Sequence, residues 1–171
     1  MNKSDIIAFA EKVERDLGAF CSCGGLGLHG FDHLGRVAIL AGRLARAVGE
    51  DVESAVVMGF LHDSARKDDG GGCLHAIESA VLARKLLLEF YPQMDRGRIC
   101  DSIKRHADGE TTSDLMVACL WDADRLELKR LGRVVDPDLL STEIAKRLAR
   151  KRKPGKREEI HAANIKGPES R

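Results

Sequence analysis

The stretch Asp51-Val-Glu-Ser54-Ala-Val-Val-Met-Gly-Phe-Leu61-His62-Asp63 passes from a good helix-capping residue into an almost unbroken apolar run, then stops on an imidazole and a carboxylate. A short helix apolar on every side belongs in the centre of a core rather than on its surface. The pair His62-Asp63 therefore closes the most buried helix of the chain, where polar groups are costly unless something pairs them. Around this pair stand four more metal-competent side chains: His33, His75, His106 and Asp124. One metal centre would account for all of them.

Reading outward, the chain is helical almost throughout. Ile6, Phe9, Ala10, Val13 and Leu17 recur at spacings of three and four and predict an amphipathic first helix. Five glycines between Gly18 and Gly30 interrupt the pattern. The stripe returns from Leu34 through Val37, Ala38, Ala41, Leu44, Ala45 and Val48, and Gly49 ends it. Asp51 caps a buried helix over Ser54 to Leu61, and a polar loop Lys67-Asp-Asp-Gly-Gly-Gly72 follows. A fourth helix is expected from Leu74 to Tyr91, stopped by Pro92, and a fifth from near Asp95, with Ile99, Ile103 and His106 on one face. A sixth, apolar all round, is expected over about Asp114 to Asp124, and a shorter one after Ser141. No strand alternation, repeat or low-complexity tract stands out. The expected architecture is an all-α, single-domain helical bundle over residues 1–150, followed by a basic solvated tail over 151–171.

Composition agrees with a globular protein: 171 residues, 43% hydrophobic and 32% charged. The net charge of +1 conceals an asymmetry, with ten Lys/Arg against four Glu from Ser141 onward and 18 basic against 23 acidic residues before it. Charges break up the N-terminus too early for a secretory signal and no stretch reaches membrane-spanning length, so a cytoplasmic protein without membrane partners is expected. Five cysteines at irregular spacing argue against a disulfide framework, and Cys21-Ser-Cys23 lacks the second pair a zinc site needs.

The candidate ligands are imidazole and carboxylate only. Such a set suits Fe, Mn, Ni, Co, Zn or Mg. Six ligands exceed what one catalytic ion with open positions can use, so two divalent ions are expected, with Asp63 as the bridge. A two-metal site generates a hydroxide nucleophile near neutral pH and clamps phosphoryl oxygens. Arg66 lies about one helical turn past His62-Asp63, with Lys67 next to it, and a guanidinium there could grip phosphate in a fork. His29, four residues before His33, could add a contact from the same side.

These elements, in this order, resemble the HD-domain superfamily of metal-dependent phosphohydrolases, whose outline is His, His-Asp, Asp. His33-Leu-Gly-Arg36-Val37 is similar to its opening element, Phe60-Leu-His62-Asp63-Ser-Ala-Arg66 to its second, and Trp121-Asp-Ala-Asp124-Arg125-Leu126 to its closing element. In that closing element the ligand follows Ala, which selects Asp124 over Asp122. His75 and His106 match the extra histidines of the binuclear branch. The stretches Arg105-His106-Ala-Asp108-Gly109-Glu110 and Asp136-Pro-Asp-Leu-Leu-Ser-Thr-Glu143 are similar to short bacterial HD proteins. The resemblance covers about residues 26–147 and implies an HD domain. It also implies a phosphate-binding role for Arg66; Arg36, Lys67 and His29, the last outside the family's outline, are the further substrate-binding candidates, and Asp63 and Arg66 the catalytic ones. The Gly-Tyr-Pro signature of the cyclic-dinucleotide branch is absent.

The function so implied is hydrolysis of a phosphate ester or anhydride of a small molecule, a nucleotide foremost, by metal-activated hydroxide. Two alternatives stand beside it. One is a di-iron oxygenase of the same fold. The other is a non-catalytic regulatory or nucleic-acid-associated metal-binding module using the basic tail, which carries no aromatic residue for base stacking.

Overall fold

A computed structural model describes residues 1–70 and 72–150. The basic segment 151–171 lies outside the described residues. Among the described residues there are seven α-helices and no strand: α1 Lys3–Leu17, α2 Phe31–Val48, α3 Val52–Leu61, α4 Leu74–Phe90, α5 Arg96–Arg105, α6 Leu115–Glu127 and α7 Glu143–Arg150. No helix among them is long and apolar enough to cross a membrane.

The helix α3 is the hub. Every residue from Ser54 to Leu61 is buried, as its uniform apolarity demands. Asp51 caps it by accepting from the Glu53 amide. Around it pack α1, α2 and α6, and α5 closes the side from which His106 arrives. The approach of α2 and α3 depends on small residues. A Cβ on Gly59 would lie 2.7 Å from the Ala38 Cα, and one on Gly42 would lie 2.6 Å from Val56 Cγ2. Two helices this close leave no room for repacking on the α2 side of Gly59, since the obstacle there is backbone.

Two boundaries and one buried face differ from the sequence expectation, each with a physical reason. Helix α2 opens at Phe31 rather than near Leu34, because Gly30 caps it in extended conformation and its carbonyl accepts from the His33 and Leu34 amides. His33 thus stands inside the first turn. Helix α6 runs on to Glu127, so Asp124 is not its end but part of its last turn. On α4 the buried face is Ala76, Ser79, Ala80, Ala83, Leu86 and Leu87, while Ile77, Val81 and Leu88 of its apolar pattern are exposed. Small residues turn inward there because α4 lies close against α5.

Substituting Gly59→Ala should lower stability by about 1–3 kcal/mol, the usual range for overpacking a filled core. The expected readout is a lower urea midpoint at unchanged slope.

Candidate metal centre

Four elements deliver the predicted ligands to one place. His33 comes from the first turn of α2, His62 and Asp63 from the end of α3, and His106 from the end of α5, while Asp124 comes from the last turn of α6. His75 adds a fifth direction from the first turn of α4. His33, His62, Asp63 and His106 are buried; the Asp124 and His75 side chains, at 26% and 12% exposed, mark the open side.

Each ring whose second nitrogen has a partner turns the same atom, Nε2, toward the others. His62 donates from Nδ1 to the Gly59 carbonyl at 2.8 Å, and His106 from Nδ1 to the Ile103 carbonyl at 2.7 Å. His33 directs Nδ1 to Glu127 Oε2 at 3.3 Å. These acceptors hold a proton on Nδ1, so Nε2 is the nitrogen of each ring that would ligate. Nε2 of His33 stands 3.2 Å from Nε2 of His62, and Nε2 of His75 stands 3.3 Å from Nε2 of His106.

The Asp63 carboxylate is divided between these pairs. Its Oδ1 lies 3.2 Å from His75 Nε2 and 3.4 Å from His106 Nε2. Its Oδ2 lies 3.7 Å from His62 Nε2 and 3.9 Å from His33 Nε2. Asp124 Oδ1 joins the second group at 3.5 Å from His33 and 3.6 Å from His62. Three overlapping triads have their donor atoms within 4.8 Å of one another: His33, His62 and Asp63; His62, His106 and Asp124; Asp63, His75 and His106. Donors bound to a divalent ion at about 2.1 Å sit roughly 3.0–3.4 Å apart. The spacing and the nitrogen–oxygen chemistry therefore fit such an ion.

The electrostatics follow from burial and charge. Burial draws the His33 and His75 imidazoles down to about 4, with the charge of His62 acting further on His33 and that of Arg66 on His75. Both are neutral at pH 7. Burial pulls His62 down too, but Asp63 and Asp124 outweigh it and hold the ring up at about 9. Burial would raise Asp63, yet His62, His106 and Arg66 keep it well below the ordinary carboxylate range. Asp124 is held low in the same way by His62, His106 and His33.

The other predicted residues stand farther out. Arg66 is buried; its Nη1 lies 3.2 Å from each Asp63 oxygen, while its Nε and Nη2 bond the Asp68 and Gly70 carbonyls. Lys67 Nζ reaches both Glu78 oxygens at 3.0 Å. Residues Arg66, Lys67, Asp68, Gly70, Leu74, His75 and Glu78 line a cavity of about 200 Å³. His29 bonds Asp69 through Nδ1 at 2.9 Å and meets the His33 ring edge-on. Arg36 does not join the ligand cluster: its Nε donates to Glu127 Oε1 at 2.6 Å, and it lines a different cavity of about 580 Å³.

Sequence reasoning missed Glu127. It is buried and links His33 to Arg36 and Arg130. The available signal was its place one turn after Asp124, on the same face of an apolar helix. Asp122, passed over in favour of Asp124, faces away from the histidines. It accepts from the Ser141 and Thr142 amides and the Thr142 hydroxyl, anchoring the start of α7.

A family model described as the HD domain matches residues 30–137. Among solved structures, the crystal structure of a predicted HD superfamily hydrolase from an uncultured Thermotogales bacterium superposes with a TM-score of 0.58 at 23% identity, covering 95% of this chain and 88% of that one. At that identity the likeness is one of fold. None of the curated proteins matches the chain.

Two outcomes are expected. Because His62 carries a proton in the metal-free protein up to about pH 9, a divalent ion must displace it. Apparent affinity should therefore tighten by up to about tenfold per pH unit between pH 6.5 and 9. Metal titrations across that range, paired with calorimetry in buffers of different ionisation enthalpy, would read both the affinity and the released proton. Glu127→Gln should weaken metal binding by about 10–100-fold while leaving helix content unchanged.

Proposed function

The chain belongs to the HD-domain family, a superfamily of metal-dependent hydrolases, and from that premise we propose that it hydrolyses a phosphate ester or anhydride of a small molecule, a nucleotide foremost, at a centre taking two divalent ions. The observation that carries this reading is the division of Asp63, with Oδ1 turned to His75 and His106 and Oδ2 to His33 and His62. A carboxylate used by one ion would not need a histidine pair at each oxygen. In this reading His33, His62, Asp63 and Asp124 serve one ion, and Asp63, His75 and His106 the other. Fe, Mn, Ni, Co, Zn and Mg all accept such a set.

Bound divalent ions supply Lewis acidity and lower the pKa of water enough to make it a nucleophile near pH 7. The protein's own groups do the rest. The Arg66 guanidinium is held by the Asp68 and Gly70 carbonyls on one side, which fixes its plane. Its Nη1 edge, beside Asp63, is placed to receive a phosphoryl oxygen. Lys67 borders the same cavity and can add charge to a second phosphate oxygen. Arg36 acts from behind: it orients Glu127, and Glu127 orients His33. His29 closes the wall on the α2 side through Asp69. The cavity is small and bordered by Arg66, Lys67 and His75, which favours a phosphate group over a bulky apolar one.

The test is elemental analysis followed by a panel of phosphoesters and nucleotides with several divalent metals. His75→Ala should retain one ion of the pair; Asp63→Ala should lose both and drop activity by at least about 100-fold. No hydrolysis with any metal, together with full metal content in Asp63→Ala, would sink the reading.

A further inference from the structure

The outer face of α4 is unlike the rest of the surface. Leu74, Ile77, Val81 and Leu88 are 65%, 42%, 57% and 62% exposed, while the opposite face of the same helix sits in the core. At about 100° per residue these four side chains fall within an arc of roughly 60°. Single exposed leucines are ordinary, but four large apolar residues in one row along a helix, broken only at Arg84, are not. Leu74, Val81 and Leu88 are seven residues apart with Ile77 between the first two, which is the narrow seam of a helix pair rather than the broad face of a helix on a core.

We propose that this stripe is the interface of a twofold dimer, in which α4 pairs antiparallel with α4 of a second copy across Val81. The argument for a second copy is that the face complements itself. In the antiparallel register Leu74 meets Leu88 of the second copy at each end and Val81 meets its own equivalent on the axis. Glu78 and Lys85 lie on the same flank of the stripe, so this register sets Glu78 beside Lys85 of the second copy, twice. The parallel arrangement instead sets Arg84 against Arg84. A twofold contact of this kind closes on itself and exposes no further apolar surface. It also bears on the metal centre. Leu74 and Glu78 line the cavity beside His75 and Arg66, so the end of the second copy's α4 would form an outer wall of that cavity. The dimer itself does not depend on which reaction the centre performs.

Sedimentation and light scattering on the full chain test this. The wild-type protein should be a dimer at micromolar concentration. Val81→Glu, which sets two carboxylates against each other on the axis, should be monomeric with unchanged helix content, since position 81 is already exposed. Lys85→Glu should weaken the dimer by at least about tenfold through like charges, and Glu78→Lys combined with Lys85→Glu should restore it. A monomeric wild type, a dimeric Val81→Glu, or a double variant no tighter than Lys85→Glu alone would each overturn the proposal.

Discussion

Everything at the candidate centre hangs on one buried carboxylate. Asp63 is 2% exposed, and an unpaired charge there would be destabilising by several kcal/mol. The site answers with two cations for two anions: Asp63 and Asp124 carry negative charge, while His62 and Arg66 carry positive charge. This balance explains why His62 stays protonated at neutral pH while its neighbours His33 and His75, buried without a cation's task, are neutral. It also explains the orientation of Arg66, which touches both oxygens of Asp63. A second charged cluster stands behind the first, with Glu127 set between Arg36 and Arg130. Glu127 can then serve His33 without adding uncompensated charge.

That carboxylate is positioned by helix packing rather than by loops. The α2 and α3 backbones approach closely at Ala38 and Gly59. The same Gly59 offers its carbonyl to His62 Nδ1. One glycine thus sets both the distance between the helices bearing His33 and His62 and the tautomer of one of those rings. The site is rigid on this side because the α3 residues leading into it are all buried. On the opposite side Asp124 and His75 are partly open, which gives the centre a direction of access without a hinge.

The fold was legible because apolar periodicity is a strong signal in helices: all seven appear where the sequence places them, within a few residues. Boundaries were less legible where tertiary contacts decide them. Gly30 starts α2 early through close packing against Leu26, and α6 runs on because Glu127 finds partners on α2 and on the turn after α6. The ligand candidates were legible as residue types and order, and the structure brings His33, His62, Asp63, His75, His106 and Asp124 together. Arg36 was harder to place. Its spacing from His33 marks one face of α2, but only the fold shows that Glu127 stands between it and the centre. Nor does apolarity alone reveal which side of α4 is inside. Alanines there pack against α5, and the larger residues remain outside.

The segment before α2 and the loop after Arg66 form one wall beside the centre. Asp69 accepts from the amides of Leu28 and His29 and from the His29 ring. The segment before α2 is thereby tied to the segment after Arg66. Arg66 itself bonds the carbonyls of Asp68 and Gly70 on that same loop. A chain of polar contacts therefore runs from Asp63 through Arg66 to the loop and on to His29, whose ring abuts His33. It begins and ends on candidate ligands. A group that draws Arg66 away from Asp63 would pull on the loop, and the loop in turn holds the His29 ring that meets His33 edge-on.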